Sequence, residues 1–173
     1  MTRTAIELDP LSSVTWTNLA ALLVGDGQVV PAHDAIRRAV EIQPDSPYGL
    51  NVLGIVQLIE GQPGAAMELA RTHANEHLGL QFSAMAQHSL GDTQAARLAL
   101  QQLIAKFGKE SAYDIARAYA WSDQQSGTFA WLERSFQRHE SDLVSIKYDP
   151  IMNPVRGDPR YKALLHKMNL PEG

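Results

Sequence analysis

An all-α fold made of repeated helix pairs follows from three features of the sequence. Ala5-Ile6-Glu7-Leu8-Asp9-Pro10 aligns with Ala39-Val40-Glu41-Ile42-Gln43-Pro44, which sets the two prolines 34 residues apart (10 to 44). Glycine punctuates the chain at the same interval: Gly27 and Gly61 are 34 apart, and Gly91 follows 30 later. Between these breaks, apolar residues recur at the spacing of a helix face rather than alternating as in a strand.

Composition narrows the class of protein. A chain of 173 residues with 45% hydrophobic residues can bury a core and is not a disordered tail. No apolar run reaches the roughly 20 residues of a membrane-spanning helix, and Met1 is not followed by the pattern of a secretory leader. Cysteine is absent, which excludes a disulfide scaffold, a thiol nucleophile and a cysteine-ligated zinc. A net charge of −4 argues against nucleic acid as the main partner. These features set the expectation of a cytoplasmic protein without membrane association.

The elements follow in order. Trp16, Leu19, Ala20 and Leu23 mark the first helix, and Gly25-Asp26-Gly27 breaks it. Ala32, Ala35, Ile36 and Ala39 mark the second, with Pro31 near its start and Pro44 beyond its end. The second unit repeats this with Leu50, Leu53, Gly54 and Gln57, the turn Gly61-Gln62-Pro63-Gly64, then Ala66, Leu69, Ala70 and His73. The third has Leu80, Ser83, Ala84 and Gln87, the turn Gly91-Asp92, then Ala96, Ala99, Leu100 and Leu103. The fourth has Ala112, Ile115, Ala116 and Tyr119, then Thr128, Trp131, Leu132 and Ser135, with Asp123 where the turn glycine stands elsewhere. Ala20, Gly54, Ala84 and Ala116 are expected where the two helices of a pair cross, because small side chains let backbones approach. Thr128 should widen its crossing. From Ser141 the repeat stops. Asp149-Pro150 and Asp158-Pro159 read as helix starts, with Asp capping and Pro in the first turn. Tyr161, Leu164, Leu165 and Met168 form the stripe of a last amphipathic helix.

This pattern resembles the tetratricopeptide repeat, over residues 5 to about 138. The resemblance implies a right-handed α-solenoid of about four helix hairpins, with units at 11–44, 45–77, 78–108 and 109–140 and a C-terminal cap at 141–173. Trp131-Leu132-Glu133-Arg134-Ser135, Tyr148-Asp149-Pro150, Asn153-Pro154-Val155-Arg156, Asp158-Pro159-Arg160-Tyr161, Leu164-Leu165 and Met168-Asn169-Leu170-Pro171 resemble the end of repeat regions in bacterial class III adenylate cyclases, winged-helix transcriptional regulators and serine/threonine kinases. The resemblance implies a regulatory interaction module. Residues 5–10 read as the tail of a second helix without its partner, which sets the expectation of a fragment of a longer parent.

In stacked helix pairs the first helices line the concave face. That face is expected to hold Asn18, Tyr48, Asn51, Ile55, Gln81, Met85, His88, Tyr113, Arg117 and Trp121, with Thr17, Ala21, Val24 and Leu58 alongside. An amide, apolar and aromatic lining suits a peptide or protein partner; a small ligand or self-association are the alternatives. The resemblance also suggests a carboxylate clamp of paired lysines and asparagines. The lysines are missing and Arg117 is the one basic candidate, so a clamp is disfavoured. His73 and His77 share a helix face, but no third ligand accompanies them and His73 falls at a packing position. His139-Glu140 lacks the second histidine of a zinc-protease motif, no serine has a nucleophile elbow, and the glycine turns are repeat turns rather than phosphate loops. No enzyme activity and no cofactor are expected. From Ser145 onward five Lys and Arg face three acids, a balance of +2 that leaves −6 for the rest.

Overall fold

The computed structural model describes residues 9–72 and 75–171. Among these residues the chain is helical, with no strand. In order come α1 (Ser13–Gly25), α2 (Val29–Ile42), α3 (Pro47–Ile59), α4 (Pro63–Thr72), α5 (Glu76–Ser89), α6 (Thr93–Phe107), α7 (Ala112–Trp121) and α8 (Gln125–Gln137). Two 3₁₀ turns (Ser141–Ser145 and Pro150–Val155) and α9 (Pro159–Lys167) follow. Residues 5–8 and His73 lie outside the described residues. No helix of the described residues is long and apolar enough to cross a membrane.

Short polar side chains start many of these helices. Ser12, Ser46, Asn75 and Asp92 each accept a hydrogen bond from a first-turn N–H. Asn75 starts α5 at Glu76, ahead of the expected unit boundary at residue 78. Asp149 and Asp158 cap the second 3₁₀ turn and α9, each with proline next in line.

One turn geometry closes the first helix of every pair. Gly27, Gly61 and Gly91 have φ of +74°, +72° and +85°, and Asp123 adopts +54° in the same place. The following N–H reaches back five residues each time: Gln28 to Leu23 O (2.8 Å), Gln62 to Gln57 O (2.8 Å), Asp92 to Gln87 O (3.0 Å) and Gln124 to Tyr119 O (2.9 Å). This satisfies helix carbonyls that the helix cannot. Glycine enters the left-handed region without steric penalty, and aspartate is among the few other residues that tolerate it.

Each helix packs on its chain neighbours, and the odd-numbered helices also pack on one another: α1 on α3, α3 on α5, α5 on α7. That ladder changes the role of Gly54. A Cβ at Gly54 would lie 2.5 Å from the Phe82 ring, so its small size admits the next odd-numbered helix. Thr128 is fully buried, and its hydroxyl is satisfied by the Gln124 carbonyl at 3.1 Å. The core divides in two. A large cluster runs from Leu50 to Leu165, and a smaller one joins α1 and α2 to Val52 and Val56 of α3. Tyr161, Leu164 and Leu165 bury one face of α9, which packs on α8.

The turn series makes a direct prediction. Gly91→Ala should lower stability by about 1–2 kcal/mol, the penalty of a left-handed L-residue. Asp123→Gly should be neutral or stabilising by about 0.5 kcal/mol, because steric relief is partly offset by the entropy of the freer unfolded chain. Urea unfolding of both variants checks the opposite signs.

Candidate functional site

The segment after α8 does not simply extend the cap. Glu140 first ties it to the start of α7: its Oε1 accepts the Ala112 N–H at 3.0 Å, and its Oε2 accepts the Tyr113 N–H at 2.9 Å and the Ser135 hydroxyl at 3.0 Å. A carboxylate suits the positive end of a helix. Leu143 and Ile146 are then buried, and the Tyr148 carbonyl comes to rest against Gly25 at the end of α1. A Cβ at Gly25 would lie 2.6 Å from that oxygen, so the close approach depends on glycine. Residues 141–150 therefore form a strap from α7 back to α1.

Between the strap, α1, α3 and the first turns of α5 and α7 lies a cavity of about 1040 Å³. Its floor holds a buried charge. Arg117 is 4% exposed. Its Nη1 donates to Asp114 Oδ1 (3.1 Å) and Asn51 Oδ1 (3.2 Å), and its Nε is 2.9 Å from Asp149 Oδ2. Asp114 Oδ1 also accepts from Gln81 Nε2 at 3.1 Å, and Asp149 Oδ2 accepts the Tyr113 hydroxyl at 2.9 Å. One guanidinium thus links α3, α7 and the strap, and Gln81 brings in α5. Arg156 Nη2 supports the strap by donating to the Lys147 and Asp149 carbonyls (2.8 and 3.3 Å), and the Tyr161 hydroxyl donates to the Ile146 carbonyl at 3.0 Å.

Electrostatics agrees with this wiring. Burial works to lower the pKa of Arg117, but Asp149 and Asp114 outweigh it and the net shift is upward. Burial, and then the Asp149 charge, push the Tyr113 phenol well above 10.0, so it serves as a neutral donor.

The expected groove residues divide into three groups. Asn18, Tyr48, Asn51, Ile55, Tyr113 and Arg117 line the cavity, and the Tyr48 hydroxyl donates to Asn18 Oδ1 at 3.1 Å. Gln81 and Met85 are fully buried, because the packing of α5 on α7 covers the middle of α5. His88 and Trp121 lie outside the cavity lining, and Trp121 Nε1 donates to Ser89 Oγ at 2.8 Å. Arg117 lines the cavity as a cation already ion-paired with Asp114 and Asp149.

Other contributors escape a reading by helix position. Asp149 looks like a cap, and its Oδ1 does accept the Ile151 N–H at 3.0 Å, yet its other oxygen takes the Arg117 ion pair. Asp114 and Arg117 are three apart on one helix, a spacing visible in the sequence. Nothing local marks Glu140 as a cap for α7. His77 Nε2 lies 3.5 Å from Asp114 Oδ2, and its ring meets Phe107 edge to face with centroids 5.0 Å apart. Among the described residues, no group of three His, Cys, Asp or Glu side chains could hold a metal ion.

Replacing Arg117 with methionine strands two buried carboxylates and should lower stability by about 3–5 kcal/mol. Arg117→Lys should recover only part of this, since a point charge cannot serve partners on several sides at once. Denaturant unfolding measures both. Tyr113 sets a pH limit. Its folded pKa lies above the unfolded value of 10.0, so its contribution is whole below that pH and is lost as pH rises towards the folded value. Stability should fall above pH 10.0, with Tyr161, also raised by burial, adding in the same direction. Alkaline unfolding followed by circular dichroism should be shallower in Tyr113→Phe. In comparisons with known proteins, no protein-family model matches the chain and no curated protein matches it.

Proposed function

We propose that this chain is a non-enzymatic binding module of tetratricopeptide-like design, a solenoid of helix hairpins that receives a short peptide segment of a partner protein in the strapped cavity. Regulation in a bacterial signalling or transcription protein is the setting that the sequence resemblance favours. The observation that carries the reading is the cavity on the odd-numbered helices. Large apolar groups that most surfaces bury stand exposed around it: Leu22, Tyr48, Val144 and Tyr148 line it at 46–68% exposure. Asn18 and Asn51 place amide oxygens among them, the mixture that holds a peptide through side-chain burial and a few polar contacts.

The test is retention of the whole chain on an array of short peptides, followed by titration of the best binder. Tyr48→Ala should weaken that binder roughly tenfold, as loss of an aromatic anchor does, while leaving the melting temperature nearly unchanged. Absence of any peptide binder, together with stabilisation by a metabolite, would sink the proposal.

One observation favours a small ligand instead. The strap closes one side of the cavity, and about 1040 Å³ lies at the upper end of the volumes of small-molecule pockets. Gly25→Ala separates the two readings, because its methyl group displaces the strap at Tyr148. A ligand that needs the closed wall should lose binding, whereas a peptide held on α1 and α3 should keep most of its affinity. Thermal-shift and titration measurements on this variant distinguish the outcomes.

A further inference from the structure

Charge narrows what the cavity can accept. Its lining carries three carboxylates, Asp114, Asp142 and Asp149, against one guanidinium, Arg117, for a formal net −2 (1 − 3) with histidine left out of the count. Arg117 is ion-paired with both Asp114 and Asp149, so its charge is already offset before any anion arrives. Asp149 is satisfied on both oxygens by Arg117, Tyr113 and the Ile151 N–H. Asp114 is not. Its Oδ1 takes two donors, while its Oδ2 faces His77 Nε2 at 3.5 Å. That buried nitrogen itself makes no hydrogen bond. The carboxylate therefore keeps unused acceptor capacity beside the cavity, where weak screening strengthens its field. Asp142 adds a second negative charge at the exposed rim, with a long contact of 3.4 Å from the Ser141 hydroxyl.

Resting on the reading of the cavity as a peptide site, we propose that it selects a basic peptide, with a Lys or Arg side chain passing Asp142 and directed at Oδ2 of Asp114, which accepts no hydrogen bond among the described residues. An ammonium or guanidinium group supplies the N–H that this oxygen lacks and offsets part of the lining's negative charge. An acidic side chain or a free C-terminal carboxylate would face a net negative lining, because the Arg117 charge is already offset by Asp114 and Asp149.

The probe is a set of N-acetylated, C-amidated hexapeptides in which one position is varied among Lys, Arg, norleucine, Gln and Glu, with spermidine as a free-amine control. The whole chain should retain the Lys and Arg peptides, release them as salt rises, and reject the Glu peptides. Asp142→Asn, at an exposed rim position, should bind them roughly fivefold more weakly, the scale of one surface ion pair. Asp114→Asn should weaken them further. The Asp142 variant keeps the test valid even if the Asp114 variant loses stability with its Arg117 contact. Equal retention of neutral or acidic peptides overturns the charge selection and leaves the peptide-binding reading intact. Binding of spermidine without any peptide overturns the peptide occupant. Retention of nothing overturns both.

Discussion

Arg117 is 4% exposed, and a charge so placed persists only where its partners are fixed around it. Removing such an ion from water is expensive by several kcal/mol even after relaxation. Asp114, Asp149 and Asn51 offset that penalty from three directions, and each belongs to a different element: α7, the strap and α3. Gln81 of α5 completes the set through Asp114. Greasy contacts alone would allow these elements to slide. A guanidinium with fixed donor directions does not, so the ion cluster sets register as much as stability. The cavity exists in its shape because the strap can lie in only one place.

The strap also links the weakest part of the core to the strongest. The smaller cluster consists of eight buried residues, four of which are alanines, and its larger apolar partners on α1 and α2, such as Trp16, Leu19, Leu23 and Val40, are only partly buried. Their hold on the rest runs through α3 and through the Tyr148 carbonyl at Gly25. Local stability follows the density of buried apolar contact, which makes the α1–α2 pair the part of the array most readily opened. Helix α1 of that pair forms one wall of the cavity. An occupant touching both α1 and α3 binds the closed arrangement and stabilises it by mass action. Binding and folding of the first pair are coupled through that shared wall.

Much of the helical architecture is legible in the sequence because its causes are local. The 34-residue spacing, the left-handed turn residues and the Asp-Pro starts are short-range rules, and even Asp123 reveals its turn by occupying the glycine's place. Crossings are less legible. Gly54 makes room for the neighbouring pair, since periodicity identifies a face but not what packs on it. Gln81 and Met85 share helical positions with groove residues but fall beneath the α5–α7 contact. The strap is least legible of all. Tyr148 meets Gly25, and Asp149 meets Arg117, across separations in sequence that no repeat pattern constrains.

Arg117 shows how one such long-range contact inverts the character of a surface. Taken with its helix alone, it is a cation on the concave side of an array, suited to an acidic partner. In the folded chain, Asp149 of the strap enters first and occupies the place that an acidic ligand would take. Because a second carboxylate, Asp114, already sits beside the guanidinium, the added charge does more than neutralise the site; it leaves the remaining cavity acidic. Asp142 extends that acidity to the rim. The strap therefore does two things with one segment. It closes the side of the cavity, and by adding Asp142 and Asp149 to a lining in which Arg117 and Asp114 alone would balance, it gives the cavity its net negative charge.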